Sequence, residues 1–317
     1  MNRALNLPAL IKEIGRGARG ARDLDRAQAA ALFGAMLDGE VEDLQLGAIV
    51  LALRVKGEAV EELLGFAEAL QARTLKLQVP AGPRLVLLPA LNGARKLLNL
   101  MPLLALHLAS RGVPVLIQGR SDFGAARGAT FELLQALGHP LCASVAEAEA
   151  ALQQQRLAVL PTAALCPGLD RLMALRPRLG LRNSAHTLVK LLDPAPGRSL
   201  RVVAVTHGDF LDRLGQALPV LTAQDGGAAL LLKGCEGEAY PHPRRAASLQ
   251  AWCAGQSLAL PQADAVEDPL WDTQQESASD ASRLLQLLAA GPQAWPLRLR
   301  ELVSELERMA GANTYSS

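Results

Sequence analysis

Residues 176–190 read RPRLGLRNSAHTLVK, placing Arg176, Arg178, Arg182, His186 and Lys190 in one short stretch without a carboxylate. The chemistry such a run can perform is anion recognition, because guanidinium groups hold phosphate or carboxylate oxygens in pairs and an ammonium adds a point charge. Pro177 biases Arg176 away from helical backbone, so the chain is expected to turn there. A helix starting after Pro167-Gly168 would carry Arg171 and Arg178 on nearly the same face. Asn183 or Ser184 can cap a second helix holding His186 and Lys190 one turn apart. The cations then gather around a helix N-terminus, whose orphan N–H groups also favour anions. The plainer reading of the same residues is a solvated basic helix end, with His186 a structural histidine.

Two smaller groups extend this chemistry. Arg95 and Lys96 follow a turn at Asn92-Gly93 and precede a helix expected to begin near Asn99, and Arg120 follows the apolar run Val113 to Ile117. His207, His242, Arg244 and Arg245 fit neither a zinc site nor a hydrolase triad, although the two arginines could extend a basic surface. Glu236 and Glu238 flank Gly237 and read as a solvated loop, since two carboxylates alone make a poor magnesium site. Cys142, Cys166, Cys235 and Cys253 are too scattered to clamp a metal and read as free thiols. The residues imply no catalytic group, no metal and no cofactor.

The charge balance narrows the role of the cations. Thirty-two Lys and Arg stand against 31 Asp and Glu, a net charge of +1, so attraction for a polyanion has to come from segregated charge. Three Trp, two Tyr and five Phe in 317 residues leave no platform for stacking successive bases, so recognition is expected of phosphates and not of base sequence. The N-terminal residues lack the pattern of a signal peptide, and every apolar run is far shorter than the roughly 20 residues that cross a bilayer. A cytoplasmic, soluble protein is expected.

The elements that must position these residues fall into two parts. Residues 1–75 read as helices: in DLDRAQAAALFGAMLDGE the apolar Ala29, Leu32, Phe33, Met36 and Leu37 recur at spacings of three and four, and Gly39 supplies a stop. From Pro80 the pattern changes. Leu85 to Leu88, Val113 to Ile117, Ala158 to Leu160, Leu200 to Val205 and Ala228 to Leu232 are short apolar runs separated mostly by helical stretches, which predicts an α/β domain over 76–317 with a mostly parallel central sheet. DTQQESASDAS is a surface loop before the last helices, expected from about Ala281 to Met309.

The segments AMLDGEVEDLQLGAIVLALRVKGEAVEEL, LPALNGARKLLNLMPLLALHLASRGVPVLIQG and RPRLGLRNSAHTLVKLLDP resemble anthranilate phosphoribosyltransferase, of glycosyltransferase family 3, in order and spacing. NGARK, RNSAHTL and GCEGEAYPHPRR are more similar still to the YbiB-like DNA-binding proteins, which share that fold. The resemblance implies a helical domain of residues 1–75 that forms a homodimer. It also implies a degenerate active site. Where the enzyme has a Gly-Thr-Gly-Gly-Asp-Gly loop that closes on diphosphate, this chain has Pro89, Ala90, Leu91, Asn92, Gly93 and Ala94. Asn99, Leu100, Met101 and Pro102 replace a hydroxyl-bearing Asn-Ile-Ser-Thr, and Ile117 to Ser121 lose a strand-end lysine. Arg176 and Arg182 fall on the enzyme's two arginine positions, His186 on an asparagine and Lys190 on a proline.

The residues and the resemblance together predict sequence-independent binding of DNA, and of RNA as well, with phosphate contacts from Arg95, Lys96, Arg120, Arg171, Arg176, Arg178, Arg182, Asn183, His186 and Lys190. The competing reading is an active phosphoribosyltransferase or nucleoside phosphorylase of unassigned base. An adaptor for an acidic protein is a third.

Overall fold

The computed structural model describes residues 5–17, 19–91, 93–121, 128–242, 248–260 and 280–312. Asn92, Arg244, Arg245 and most of the DTQQESASDAS segment lie outside the described residues. The chain forms two compact units, residues 1–75 with 162–194, and residues 76–161 with 195–317. The segment 162–194, which carries the basic stretch, thus folds with the helical residues and not with the α/β domain expected from its place in the sequence. Its helices, Thr162–Leu165, Pro167–Met173, Arg176–Leu179 and Ala185–Leu188, are four to seven residues long. Pieces this short are unstable alone, and Leu165, Leu169, Leu172 and Leu188 are buried within the helical unit.

The helical unit is built on α1 (Leu7–Ile14), α2 (Arg26–Asp38), α3 (Asp43–Lys56) and α4 (Val60–Arg73). Asp25 and Gln28 form a capping box at the start of α2, and Gly39 ends it in the left-handed conformation. Helices α2 and α4 cross closely at Gly65, where a Cβ would stand 2.3 Å from the Arg26 carbonyl oxygen, and Phe33 stacks on Phe66 beside them. The fully buried Glu62 accepts from the Leu24 and Ala59 N–H groups and from Lys56 Nζ at 2.6 Å, so its charge is neutralised and bonded inside the unit.

The α/β unit holds β1 (Leu85–Ala90), β2 (Val115–Gly119), β3 (Leu157–Pro161), β4 (Ser199–Val205), β5 (Ala228–Cys235), β6 (Glu238–Pro241), β7 (Leu249–Cys253) and β8 (Gln256–Leu258). The sheet order is β3-β2-β1-β4-β5-β7-β8, with β6 paired to β5. The first five strands, all expected from their apolar runs, are parallel to one another; β6, β7 and β8 are antiparallel additions. Strand order reverses between β1 and β4, and in open sheets of this kind ligands bind beyond the strand C-termini at such a reversal. The last helices run Asp280–Ala290 and Leu297–Ala310. Among the described residues all four cysteines are free, and no helix is long and apolar enough to cross a membrane.

Candidate anion-binding site

The helical unit brings Arg171, Arg176, Arg178, Arg182, Asn183, His186 and Lys190 together, but gives them unequal work. The expected single helix joining Arg171 to Arg178 does not form: one helix ends at Met173, and a separate turn over Arg176–Leu179 closes on Gly180 with φ 69°. Arg171 is spent on the fold, its Nη2 donating to the Leu37 carbonyl at 2.8 Å beside the end of α2. Arg178 points outward, with its side chain 69% exposed and a 3.3 Å pair to the still more exposed Asp43. Arg176, Arg182 and Lys190 are half-buried.

Asn183 and His186, expected among the phosphate contacts, are instead buried. Asn183 Nδ2 donates to the Leu172 carbonyl at 2.7 Å, and its Oδ1 accepts from Ala185 N–H at 3.0 Å, capping the short helix in place of Ser184. The Ser184 hydroxyl donates instead to the buried Glu58 at 2.6 Å. His186 is 8% exposed, and its Nδ1 faces Asn183 N–H at 3.3 Å. Burial first, and then the Arg182, Arg176 and Lys190 charges, push its pKa down to about 4, so the imidazole is neutral at physiological pH. Polar atoms committed in this way position the arginine-bearing turns and are not presented to an external anion.

The α/β unit holds Arg95, Lys96 and Arg120. Arg95 and Lys96 are exposed just beyond the C-terminal end of β1, while Arg120 leaves β2 with its N–H on the Ala90 carbonyl at 3.2 Å. The loop after β1 is anchored by Glu236 and Glu238, the two glutamates expected in a solvated loop. Glu238 is fully buried; its Oε1 accepts from the N–H groups of Leu91 at 3.3 Å and Gly93 at 3.1 Å, and its Oε2 from the Thr130 hydroxyl at 3.1 Å. Glu236 accepts from three consecutive N–H groups, of Arg95 at 2.7 Å, Lys96 at 2.9 Å and Leu97 at 3.2 Å. Such an array is an anion nest, here holding a carboxylate of the same chain. Glu236 and Gly237, with φ 52° and 93°, make the two-residue connection from β5 to β6, and positive φ at both residues is the requirement of a type I′ hairpin turn. An acidic residue followed by glycine between two apolar runs was the available sequence signal for that hairpin.

The neutral His186 makes stability depend on pH with a defined sign. The unfolded chain takes up its proton as pH falls through the ordinary value of 6.5, whereas the folded chain resists until about 4. Its contribution is therefore fully present above pH 6.5, declines as pH falls toward 4 and levels off below that, amounting to about 3 kcal/mol over the interval. Urea unfolding of wild type and His186→Asn at pH 7, 5.5 and 4.5 should show the wild-type stability falling more steeply. Parallel decline of the two proteins would refute the assignment.

Comparison with known proteins sets these details in a family. Residues 8–74 match the helical bundle domain of a glycosyl transferase family. The uncharacterized protein YbiB of Escherichia coli K12 is 44% identical over 238 residues, covering 74% of this chain and 73% of that protein. Anthranilate phosphoribosyltransferase of Methylocella silvestris is 32% identical over 68% of this chain, and anthranilate phosphoribosyltransferase 2 of Ralstonia nicotianae 32% over 71%; the aligned stretches span 60% and 63% of those enzymes. Among solved structures, anthranilate phosphoribosyltransferase from Thermus thermophilus matches with a TM-score of 0.70 at 22% identity, covering 97% of this chain and 90% of that one. The Saccharomyces cerevisiae enzyme in complex with PRPP and Mg gives 0.70 at 14% identity over 97% and 89%. These structures establish the fold, and the identity to YbiB over nearly three quarters of both chains establishes the kinship: this chain belongs to the YbiB family and carries the anthranilate phosphoribosyltransferase fold.

Proposed function

We propose that the protein binds nucleic acid, DNA and RNA alike, through phosphates and without regard to base sequence. The observation that carries this reading is a cationic stretch without a carboxylate of its own, in which Arg178 stands clear of the surface and Arg176, Arg182 and Lys190 flank it. Arg95 and Lys96, exposed in the α/β unit, supply further phosphate contacts. Phosphate neutralisation releases counterions, and that alone can drive sequence-independent binding. Asn183 and His186 support the surface from beneath it, and Arg171 ties it to the end of α2.

The acting form in this reading is a homodimer formed through the helical unit. Helix α3 turns Leu44, Leu51 and Val55 outward at 86%, 51% and 58% exposure, with Gly47 and Ala48 between them, and Leu44 and Leu51 help line an apolar groove of about 440 Å³ with Leu179 and Leu181. An apolar helix face of this size in water favours a second copy of the chain, as the family resemblance also implies. Two cationic surfaces on one particle would then raise avidity for a polymer.

A phosphoribosyltransferase activity is the second reading, favoured by the fold and by the identity to the Methylocella and Ralstonia enzymes. Against it stand the loop residues Pro89 to Ala94 and amides already engaged by Glu236 and Glu238. Calorimetry with phosphoribosyl diphosphate and magnesium separates the readings: little or no heat is expected, and tight metal-dependent binding would reinstate the enzyme.

Reversing Arg178 and Arg182 to Glu should weaken binding of two unrelated DNA duplexes to the same degree and lower the salt slope by about 0.9 per lost contact. Circular dichroism checks the fold, and unchanged affinity and slope would reduce the stretch to a solvated helix end. Independently, Leu51→Glu should convert a dimer to a monomer in light scattering at micromolar concentration. A wild-type protein already monomeric there would end the dimer proposal.

A further inference from the structure

Beyond β1, β4 and β5 the α/β unit contains a cavity of about 330 Å³ lined by Lys96, Thr206, Lys233, Glu236 and His242 together with Leu97 and residues 234–235. It lies at the reversal of strand order, since Lys96 follows β1, Thr206 follows β4 and Lys233 lies in β5 opposite Val205. Its size is at the small end of ligand pockets. Two lysines, a histidine and a hydroxyl make its wall suited to an anion, yet the donors best placed to receive one, the N–H groups of residues 95–97, are bonded to the carboxylate of Glu236. That side chain reaches the nest from a left-handed residue of the hairpin turn between β5 and β6. The hairpin turn accounts for the positive φ, but not for three hydrogen bonds from consecutive N–H groups, which a solvated turn residue would not make. A charge tethered to its own binding site makes them readily, because the tether replaces a bimolecular encounter with an intramolecular one.

We propose that Glu236 is a selectivity residue: a tethered carboxylate that occupies a diphosphate-sized anion site and excludes small phosphate compounds from it. The inference stands on the geometry of the loop and cavity; it shares Lys96 with the nucleic-acid reading but does not require that reading. With Glu236 in place the lysine charges are offset and three donors are already satisfied, so an entering anion must first break three charge-assisted hydrogen bonds. Without it, the cavity keeps Lys96 and Lys233 and gains three open N–H groups. The class of ligand is a diphosphate, free or carried on a nucleoside.

Glu236→Gly suits the test because glycine tolerates the positive φ and removes only the side chain. Glu236→Gln keeps the size and loses the charge. Metal-free calorimetry with pyrophosphate and with ADP on wild type and both variants, each checked by circular dichroism, gives the readout. Wild type should bind pyrophosphate at least tenfold more weakly than Glu236→Gly, with Glu236→Gln also tighter than wild type. Binding of pyrophosphate but not ADP would assign the site to the free anion, and binding of both to the diphosphate group wherever it is attached. If Glu236→Gly fails to fold, Glu236→Gln decides alone. Equal affinity of wild type and a folded variant, or no binding by either folded variant, overturns the proposal. DNA affinity is not an arm of this test, so the two readings stand or fall separately.

Discussion

The carboxylate of Glu238, completely withdrawn from water, is the constraint around which the α/β unit's loop region is organised. An ion in that position costs several kcal/mol unless each oxygen is bonded, and it is retained by Leu91 and Gly93 N–H groups and the Thr130 hydroxyl. Those partners belong to the loop after β1 and to the helix Thr130–Ala136, so one side chain on β6 joins two segments that each lie more than a hundred residues before it in sequence. Asn99 extends the network, with Nδ2 on Thr130 Oγ1 and on the Gly128 carbonyl and Oδ1 receiving Met101 N–H at the start of the next helix. Tyr240, on the same strand, donates to the Leu98 carbonyl; burial first, with Cys235 and Glu238 adding, raises its phenol well above the usual range.

The consequence for chemistry is a change of occupant. A loop with several inward-facing N–H groups requires acceptors, because unpaired buried donors are costly. In the resembled enzyme the substrate's diphosphate is such an acceptor, whereas here Glu236 and Glu238 of one hairpin accept from the loop's N–H groups. Their alternation around Gly237 lets the tight turn send one carboxylate to 91–93 and the other to 95–97. In this chain a loop with few glycines and two internal anions are thus parts of the same physical arrangement.

The helical unit divides its basic stretch in a comparable way. Asn183 and His186 are consumed in holding the short helices, which are too brief to stand without such bonds, and Arg171 closes on the end of α2. A neutral imidazole suits that place better than a charged one, since Arg176, Arg182 and Lys190 already crowd it. What reaches solvent most fully is Arg178.

Sequence alone determined the five parallel strands, because an apolar run such as Leu85 to Leu88 is buried on both faces of the sheet and has few other places to go. It determined the helical character of residues 1–75 for a similar reason, the spacing of residues such as Leu32, Phe33 and Met36 serving only one buried stripe. The resemblance written in NGARK and RNSAHTL carried the family. Only the tertiary structure decided the rest. Strands β6, β7 and β8 are short and partly polar, and exist because β5 offers hydrogen-bonding groups to β6 and β7, and β7 in turn to β8. The segment 162–194 joined the helical unit because its leucines found burial there, a matter of long-range packing that local periodicity does not encode. Above all, whether Glu236, Glu238, Asn183 and His186 face water or the interior depends on partners as many as 147 residues away, and a charge's surroundings, not its residue type, decide what it can bind.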